Sequence, residues 1–212
     1  MSDNVTAPVV ILASASPRRA ALLLQIGVAH RVVPAHIDER RGAGELIEDC
    51  VRRLARNKAL EVQVALAAVS GAAAAVEFAV LGADTAVVID DELLGKPRDR
   101  ADALWMLARL SGRWHEVLTA VALASANGMR CSVSRSEVRF RALSERECAH
   151  YWDSGEPCDK AGAYAIQGRG AVFVQELRGS YSGVVGLPLF ETAQLLSEAG
   201  VPVRGALPGT RA

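Results

Sequence analysis

An excess of either charge is the first thing this sequence lacks: Lys and Arg number 24, Asp and Glu number 24, and the formal net charge is zero. A general nucleic-acid binder carries a basic surplus, so nucleic acid is not expected as a partner. Three Trp, three Tyr and four Phe are also few for a protein that stacks RNA bases. Cysteine is scarce. The four, at 50, 131, 148 and 158, show no CxxC pair and no His at zinc-finger spacing. Four reduced thiols in a cytoplasmic protein is the reading that follows. The N-terminus lacks a basic stretch followed by an apolar one, so no signal peptide is expected. Long hydrophobic runs are missing too. The most apolar stretch, 62–80, is interrupted by Ser70, Gly71 and Glu77, which suits a helix and not a membrane span. No HExxH or other His-based metal motif appears among the four histidines. A lone His in a strand, such as His115, is expected to be structural.

Half of the residues are hydrophobic, enough for a sizeable core in a chain of 212 residues. The apolar run 9–13 reads as a buried strand. It leads into a helix with Ser16 at the N-cap, Pro17 in the first position and Gly27 after the end. A second strand is expected at 32–37, a long helix from Glu45 to about Val69, and an Ala-rich junction or insertion at 70–77. A strand at 78–83 is expected to end at Asp84-Thr85, followed by a hairpin 86–94 turning at Asp90-Asp91. Asp99 and Asp102 open a further helix that stops at Ser111-Gly112. Strands at 114–125 and 129–140 flank the turn signal Asn127-Gly128. Ser144 and Glu147 form a capping box, 154–170 reads as a loop, 171–177 as a last strand, and 189–199 as a final helix. A loose tail is expected at 201–212, and no internal repeat is present. The alternation predicts an α/β fold with a mixed, twisted sheet and flanking helices.

Three segments carry groups with chemical potential. At the turn 14–19, a helix N-terminus offers N–H groups and partial positive charge, which bind phosphate. Ser14 and Ser16 add hydroxyls, and Arg18 and Arg19 add charged forks. An ordinary capped helix with solvated arginines explains the same residues. Asp84 follows a buried strand, where α/β proteins place ligand groups, although an Asp there is also a common turn residue. Gly95-Lys96 is no P-loop, since Pro97 stands where Ser or Thr is required. Lys96 is therefore a single cation, expected to be held near Asp84 by the hairpin. Glu39 and Lys58 add a carboxylate and a cation. Together these groups suit triphosphate hydrolysis: cations for phosphates, carboxylates for a divalent metal, and a base to orient water. Magnesium takes carboxylates, waters and phosphate oxygens and needs no His or Cys. In the Gly-rich segment 159–170, Gln167 both donates and accepts, which suits reading a base edge.

In order along the chain, several motifs resemble those of the Maf family of nucleotide pyrophosphatases. These are Leu12-Ala13-Ser14-Ala15-Ser16-Pro17-Arg18-Arg19, Ile37-Asp38-Glu39, Arg56-Asn57-Lys58-Ala59, Gly82-Ala83-Asp84-Thr85, Leu94-Gly95-Lys96-Pro97 and Ser111-Gly112-Arg113-Trp114-His115. The match covers about 10–195, so the resemblance implies one Maf-type domain over 1–212. It further implies two lobes around a cleft, similar to the inosine-triphosphate pyrophosphatase fold. The activity it implies is hydrolysis of nucleoside triphosphates between the α and β phosphates with a divalent cation, Mg2+ or Mn2+. By position, Asp84 would be the proton acceptor, with Glu39 and Asp84 near the metal. Ser14, Ser16, Arg18, Arg19, Lys58 and Lys96 would hold the triphosphate, and Arg18, Thr85 and Gln167 would bear on substrate choice.

The run Asp159-Lys160-Ala161-Gly162-Ala163-Tyr164-Ala165-Ile166-Gln167-Gly168 is similar to the dTTP/UTP pyrophosphatase subgroup, as is the run from Gly179 through Gly183 to Pro188. That favours dTTP and UTP, in a house-cleaning role on the nucleotide pool, over the 7-methyl-GTP subgroup. A nucleotide-binding regulator of septum formation is the rival from another class. It would be marked by loss of Asp84, Lys58 or Lys96, and all three are present. Two departures stand out: Arg40 where a small hydroxyl residue is usual, which would perturb the metal pocket, and Ala165 where Gly is common. No membrane partner is expected, and a homodimer is compatible with the family.

Overall fold

The computed structural model describes residues 8–70 and 78–203. Strand β1 (Val9–Leu12) feeds helix α1 (Pro17–Gln25), with Pro17 in the first turn, where a missing N–H costs nothing. Ser16 occupies the expected N-cap position in an extended conformation, but its side chain makes no cap bond. Strand β2 (His30–Val32) is shorter than the expected 32–37 and lies earlier. Val33 still donates its N–H to Leu12. Pro34 then ends the ladder, because it has no N–H to give. Helix α2 (Ile47–Ser70) carries Glu48 and Asp49 in its first turn, where acidic groups suit the helix dipole. The Ala-rich segment 71–77 lies outside the described residues, as does 204–212 of the expected tail.

Strand β3 (Phe78–Ile89) runs for 12 residues straight through Asp84-Thr85. The expectation of a strand end at Asp84 is therefore corrected: the carboxylate stands in the strand interior, where pairing on the sheet overrides the low strand propensity of Asp. Asp90 and Asp91, at φ 53° and 60°, make the tight turn into β4 (Glu92–Leu94). Asp99 caps helix α3 (Arg100–Leu110) by accepting the Asp102 N–H at 2.8 Å. Strands β5 (Trp114–Ser125) and β6 (Gly128–Phe140) follow. Ser144 and Glu147 form the expected capping box of α4 (Glu145–Asp153).

The segment read as a loop contains three short 3-10 turns, Glu156–Asp159, Ala161–Ala163 and Arg169–Phe173. The last of these displaces the start of the expected strand, so β7 is Val174–Arg178. A five-residue helix, α5 (Tyr181–Val185), was not legible in the sequence; Ser180 caps it by accepting the Gly183 N–H. Helix α6 (Leu189–Glu198) is the last element.

The seven strands form one mixed sheet in the order β2-β1-β3-β5-β6-β7, with β4 paired to β3. The β1–β2 and β1–β3 pairs are parallel, whereas β3–β4 and β6–β7 are antiparallel. The chain divides into two compact units. The first comprises the residues up to Asp84, Ala120–Val133 and those from Leu187; the second comprises Thr85–Thr119 and Ser134–Gly186. In the first, Ile11, Ala13, Val80 and Ala124 pack with Ala59 and Val62 of α2. In the second, Val87, Leu94, Leu107, Val138 and Phe140 build a core with Tyr151, Tyr164 and Phe173. Full burial of an aromatic such as Phe140 contributes about 1.5–3 kcal/mol.

Candidate active site

A close backbone contact creates the centre of the first unit. A Cβ on Gly82 would lie 2.8 Å from the Ala59 nitrogen and overlap the Ala55 carbonyl oxygen. Only glycine therefore allows α2 to rest on β3 here. Gly82 and Asp84 share one face of the strand, since side chains alternate. Lys58, adjacent to Ala59, is thus delivered to Asp84, and its Nζ donates to Asp84 Oδ1 at 2.7 Å. The same Nζ lies 2.7 Å from Glu39 Oε1. Two carboxylates from distant segments meet on one ammonium. The Lys58 and Asp84 side chains are 10% and 15% exposed, whereas that of Glu39 is 56% exposed, so the trio runs from the interior outward. Burial raises the Asp84 proton affinity above the ordinary carboxylate range, against the opposing pull of Lys58 and Arg19, and Glu39 adds to the rise.

At the start of α1, Ser14 is buried. Its Oγ accepts the Ser16 N–H at 3.2 Å and Arg19 Nη1 at 3.1 Å. This bond orients the Arg19 guanidinium, whose proton affinity falls through burial, with Asp84 and Glu39 opposing the fall. Arg18 and Arg19 are both partly buried in the first turn. Six of the expected residues, Ser14, Ser16, Arg19, Glu39, Lys58 and Asp84, are thus linked by hydrogen bonds, ion pairs or direct electrostatic interaction within the first unit. Arg40 takes no part: it pairs with Asp38 through three contacts of 2.6–3.0 Å, which pull the Asp38 carboxyl down to about 2. The Arg40–Asp38 pair is exposed.

Arg18 belongs to the first unit as well, and the remaining expected residues, Thr85, Lys96 and Gln167, lie in the second. The Thr85 and Thr119 hydroxyls are 3.1 Å apart, and Thr119 donates to the Gly183 carbonyl at 2.7 Å. Lys96 is exposed just beyond β4. The Gly162 N–H donates to the Gly95 carbonyl at 3.0 Å, which ties the Lys96 segment to the stretch that leads to Gln167. Gln167 is exposed between buried Ile166 and partly buried Gly168. His115 is structural, as expected. It is 3% exposed, its Nε2 lies 2.9 Å from the Tyr164 hydroxyl, and burial depresses it to about 3. Thr119, Tyr151 and Glu156 also take part in ordering these segments, and sequence reasoning did not single them out.

The donor set near Asp84 suits a hard divalent cation: two carboxylates converge, and magnesium completes such a set with waters and phosphate oxygens. Among the described residues no group of three or more His, Cys, Asp or Glu is assembled to hold a metal. The four cysteines are free thiols. No helix among the described residues is long and apolar enough to cross a membrane.

A mixed α/β sheet carries paired carboxylates on a lysine, beside a helix start with two arginines, groups that together suit a phosphate-bearing ligand accompanied by a cation. The family profile described as Maf-like protein matches residues 9–199. A relative from Methylobacillus flagellatus named dTTP/UTP pyrophosphatase is 50% identical over 211 residues, covering 100% of both chains. Another of that name, from Bordetella parapertussis, is 52% identical over 210 residues, covering 96% of this chain and 100% of the relative. A third, from Hahella chejuensis, is 50% identical over 193 residues, covering 91% and 93%. The chain belongs to the Maf-like family.

Proposed function

We propose that this protein hydrolyses dTTP and UTP at the α–β phosphate bond, releasing the nucleoside monophosphate and pyrophosphate. The observation that carries the reading is the meeting of Asp84 and Glu39 on Lys58. The shared name of relatives that are 50–52% identical over 91% or more of this chain supports it.

Asp84 accepts the proton of the attacking water. Its raised proton affinity brings it closer to the range in which a general base works best near neutral pH. Ser14, Ser16, Arg18, Arg19 and Lys58 hold the triphosphate, and Lys96 adds a further cation to it. The arginines supply planar forks for phosphate oxygens. Glu39 and Asp84 would hold Mg2+ or Mn2+, which when bound offsets phosphate charge and acidifies water. Thr85 and Gln167 bear on the choice of base. A pyrimidine such as uracil presents a carbonyl–NH–carbonyl edge, which Gln167 and nearby backbone groups can complement. The chain is proposed to act as one Maf-type domain, in the cytoplasm, as its reduced thiols suggest.

The test is product analysis with purified protein and magnesium or manganese over a panel of dTTP, UTP, CTP and 7-methyl-GTP. Monophosphate and pyrophosphate as first products from dTTP and UTP are expected. Orthophosphate and a diphosphate as first products would overturn the reaction. Equal or better use of 7-methyl-GTP would overturn the substrate assignment alone.

A further inference from the structure

The turn that carries Gln167 has several backbone N–H groups whose partners come from outside it. The Ala165 N–H donates to the Tyr151 hydroxyl at 3.0 Å. The Arg169 N–H donates to Glu156 Oε2 at 2.9 Å, and the Gly170 N–H to Glu156 Oε1 at 3.1 Å. The Tyr151 hydroxyl in turn donates to Glu156 Oε1 at 2.7 Å. One carboxylate thus collects three donors, and bonds to an ionised acceptor are the stronger kind. Gly168 closes the turn by donating to the Ala165 carbonyl at 3.1 Å. A Cβ on Gly168 would fall 2.6 Å from Glu156 Cδ, so the backbone passes directly against the carboxylate. Burial raises the Glu156 proton affinity, but the Arg169 N–H, the Tyr151 hydroxyl and the Gly170 N–H outweigh it, and the group stays below its ordinary range. It is therefore ionised at neutral pH.

The consequence for Gln167 is specific. Its neighbours Ala165 and Ile166 are 3% and 7% exposed, and Gly170 is buried, while Gln167 itself is exposed. An outward amide stands on a turn whose backbone is fixed at both ends.

We propose that Glu156 is a positioning residue for base selection, acting on Gln167 through the 165–170 turn. The inference rests on the reading that Gln167 recognises the pyrimidine. Discrimination by hydrogen bonding requires donors and acceptors held in place before the ligand arrives. A looser turn leaves the amide present but poorly aimed, and the selectivity falls while the hydrolytic groups stay intact.

The experiment compares kcat/KM for UTP and CTP in the full chain as wild type, Glu156→Gln, Gln167→Ala and the double variant. Glutamine keeps the volume of Glu156 but sets an NH2 against a backbone donor. The UTP-over-CTP ratio is expected to fall roughly 10-fold in Glu156→Gln, the size of one lost polar contact to the base. Its kcat for UTP is expected to stay within about 3-fold of wild type, because the transition-state contacts are untouched. The double variant is expected to show the ratio of Gln167→Ala alone, as two residues in one device do not add. In parallel, the amide resonances of Arg169 and Gly170 report whether the carboxylate contact has been lost.

Moved amide resonances with an unchanged ratio would overturn the proposal. So would a double variant whose loss is the product of the two single losses. If Gln167→Ala alone leaves the ratio unchanged, the base-reading role itself is wrong and the inference falls with it. Should Glu156→Gln not fold, Tyr151→Phe removes the hydroxyl that links Glu156 to Ala165, and the same outcomes decide.

Discussion

Lys58 and Asp84 are 26 positions apart in sequence and 2.7 Å apart in the structure, an ammonium against a carboxylate in a mostly buried pair. Removing one partner of such a pair leaves a buried charge uncompensated, which typically costs about 3–5 kcal/mol. Glu39 on the same ammonium provides a second compensating charge, so loss of either carboxylate leaves Lys58 still paired.

Asp84→Asn is accordingly expected to fold, because Glu39 remains to balance Lys58. Turnover is expected to fall ~10²–10⁴-fold, the usual cost of losing a general base. Pyrophosphate release together with a far-ultraviolet spectrum checks both halves. A folded variant with near-normal turnover would refute the role of Asp84.

The acid limb of the pH–rate profile is the second prediction. A base works only when deprotonated, and burial raises Asp84 above the ordinary carboxylate range. Activity is expected to rise with pH through a midpoint above that range. The check is kcat/KM for UTP measured from pH 4 to 9. A profile already flat at pH 4–5 would contradict it.

Gly82→Ala tests the contact that delivers Lys58. The new Cβ would overlap the Ala55 carbonyl oxygen, and overpacking of this kind costs about 1–3 kcal/mol. Both the melting temperature and kcat are expected to drop, since α2 must retreat from β3 and carry Lys58 with it. Unchanged kcat in a destabilised but folded variant would uncouple the packing from the site.

His115 supplies a pH-dependent stability prediction. Its folded value is about 3 against an ordinary value near 6.5, so between those limits the unfolded chain binds the extra proton. Stability from this group is complete above pH ~6.5 and is lost as pH falls toward 3, with a slope of about 1.4 kcal/mol per pH unit. Urea unfolding at pH 7, 5 and 4 should show less of this decline in His115→Phe. That variant is expected to start lower, because the Tyr164 hydroxyl loses its partner. Parallel pH dependence in the two proteins would exclude His115 as the source.

Local signals were the legible part of the fold. Asp99 before α3, the Ser144–Glu147 box and the turn between β5 and β6 all act within a few residues, and each stands where the sequence puts it. The unbroken passage of β3 through Asp84-Thr85 was not legible, because Asp disfavours strands and only sheet pairing overrides it. The apolar run at 32–37 looked like a strand until Pro34 is seen as a missing donor. Within the site, Asp84, Lys58 and Glu39 were legible as residue types but not as a three-way ion pair. Glu156 was missed because two of its three partners are backbone groups 13 and 14 positions away. The only local hint was a carboxylate ahead of a glycine-rich segment.

The interior position of Asp84 on β3 also has a temporal consequence. The backbone amide of a residue inside a long paired strand exchanges through openings that approach global unfolding, whereas a segment without a ladder opens far more often. Asp84 belongs to the first kind and Glu39, between β2 and α2, to the second. The two carboxylates that meet on Lys58 therefore live on different clocks. Amide exchange should separate them by orders of magnitude, slow in the middle of β3 and fast around Glu39. In the proposed reaction, the strand then keeps the Asp84 backbone in place over times in which the segment around Glu39 opens repeatedly.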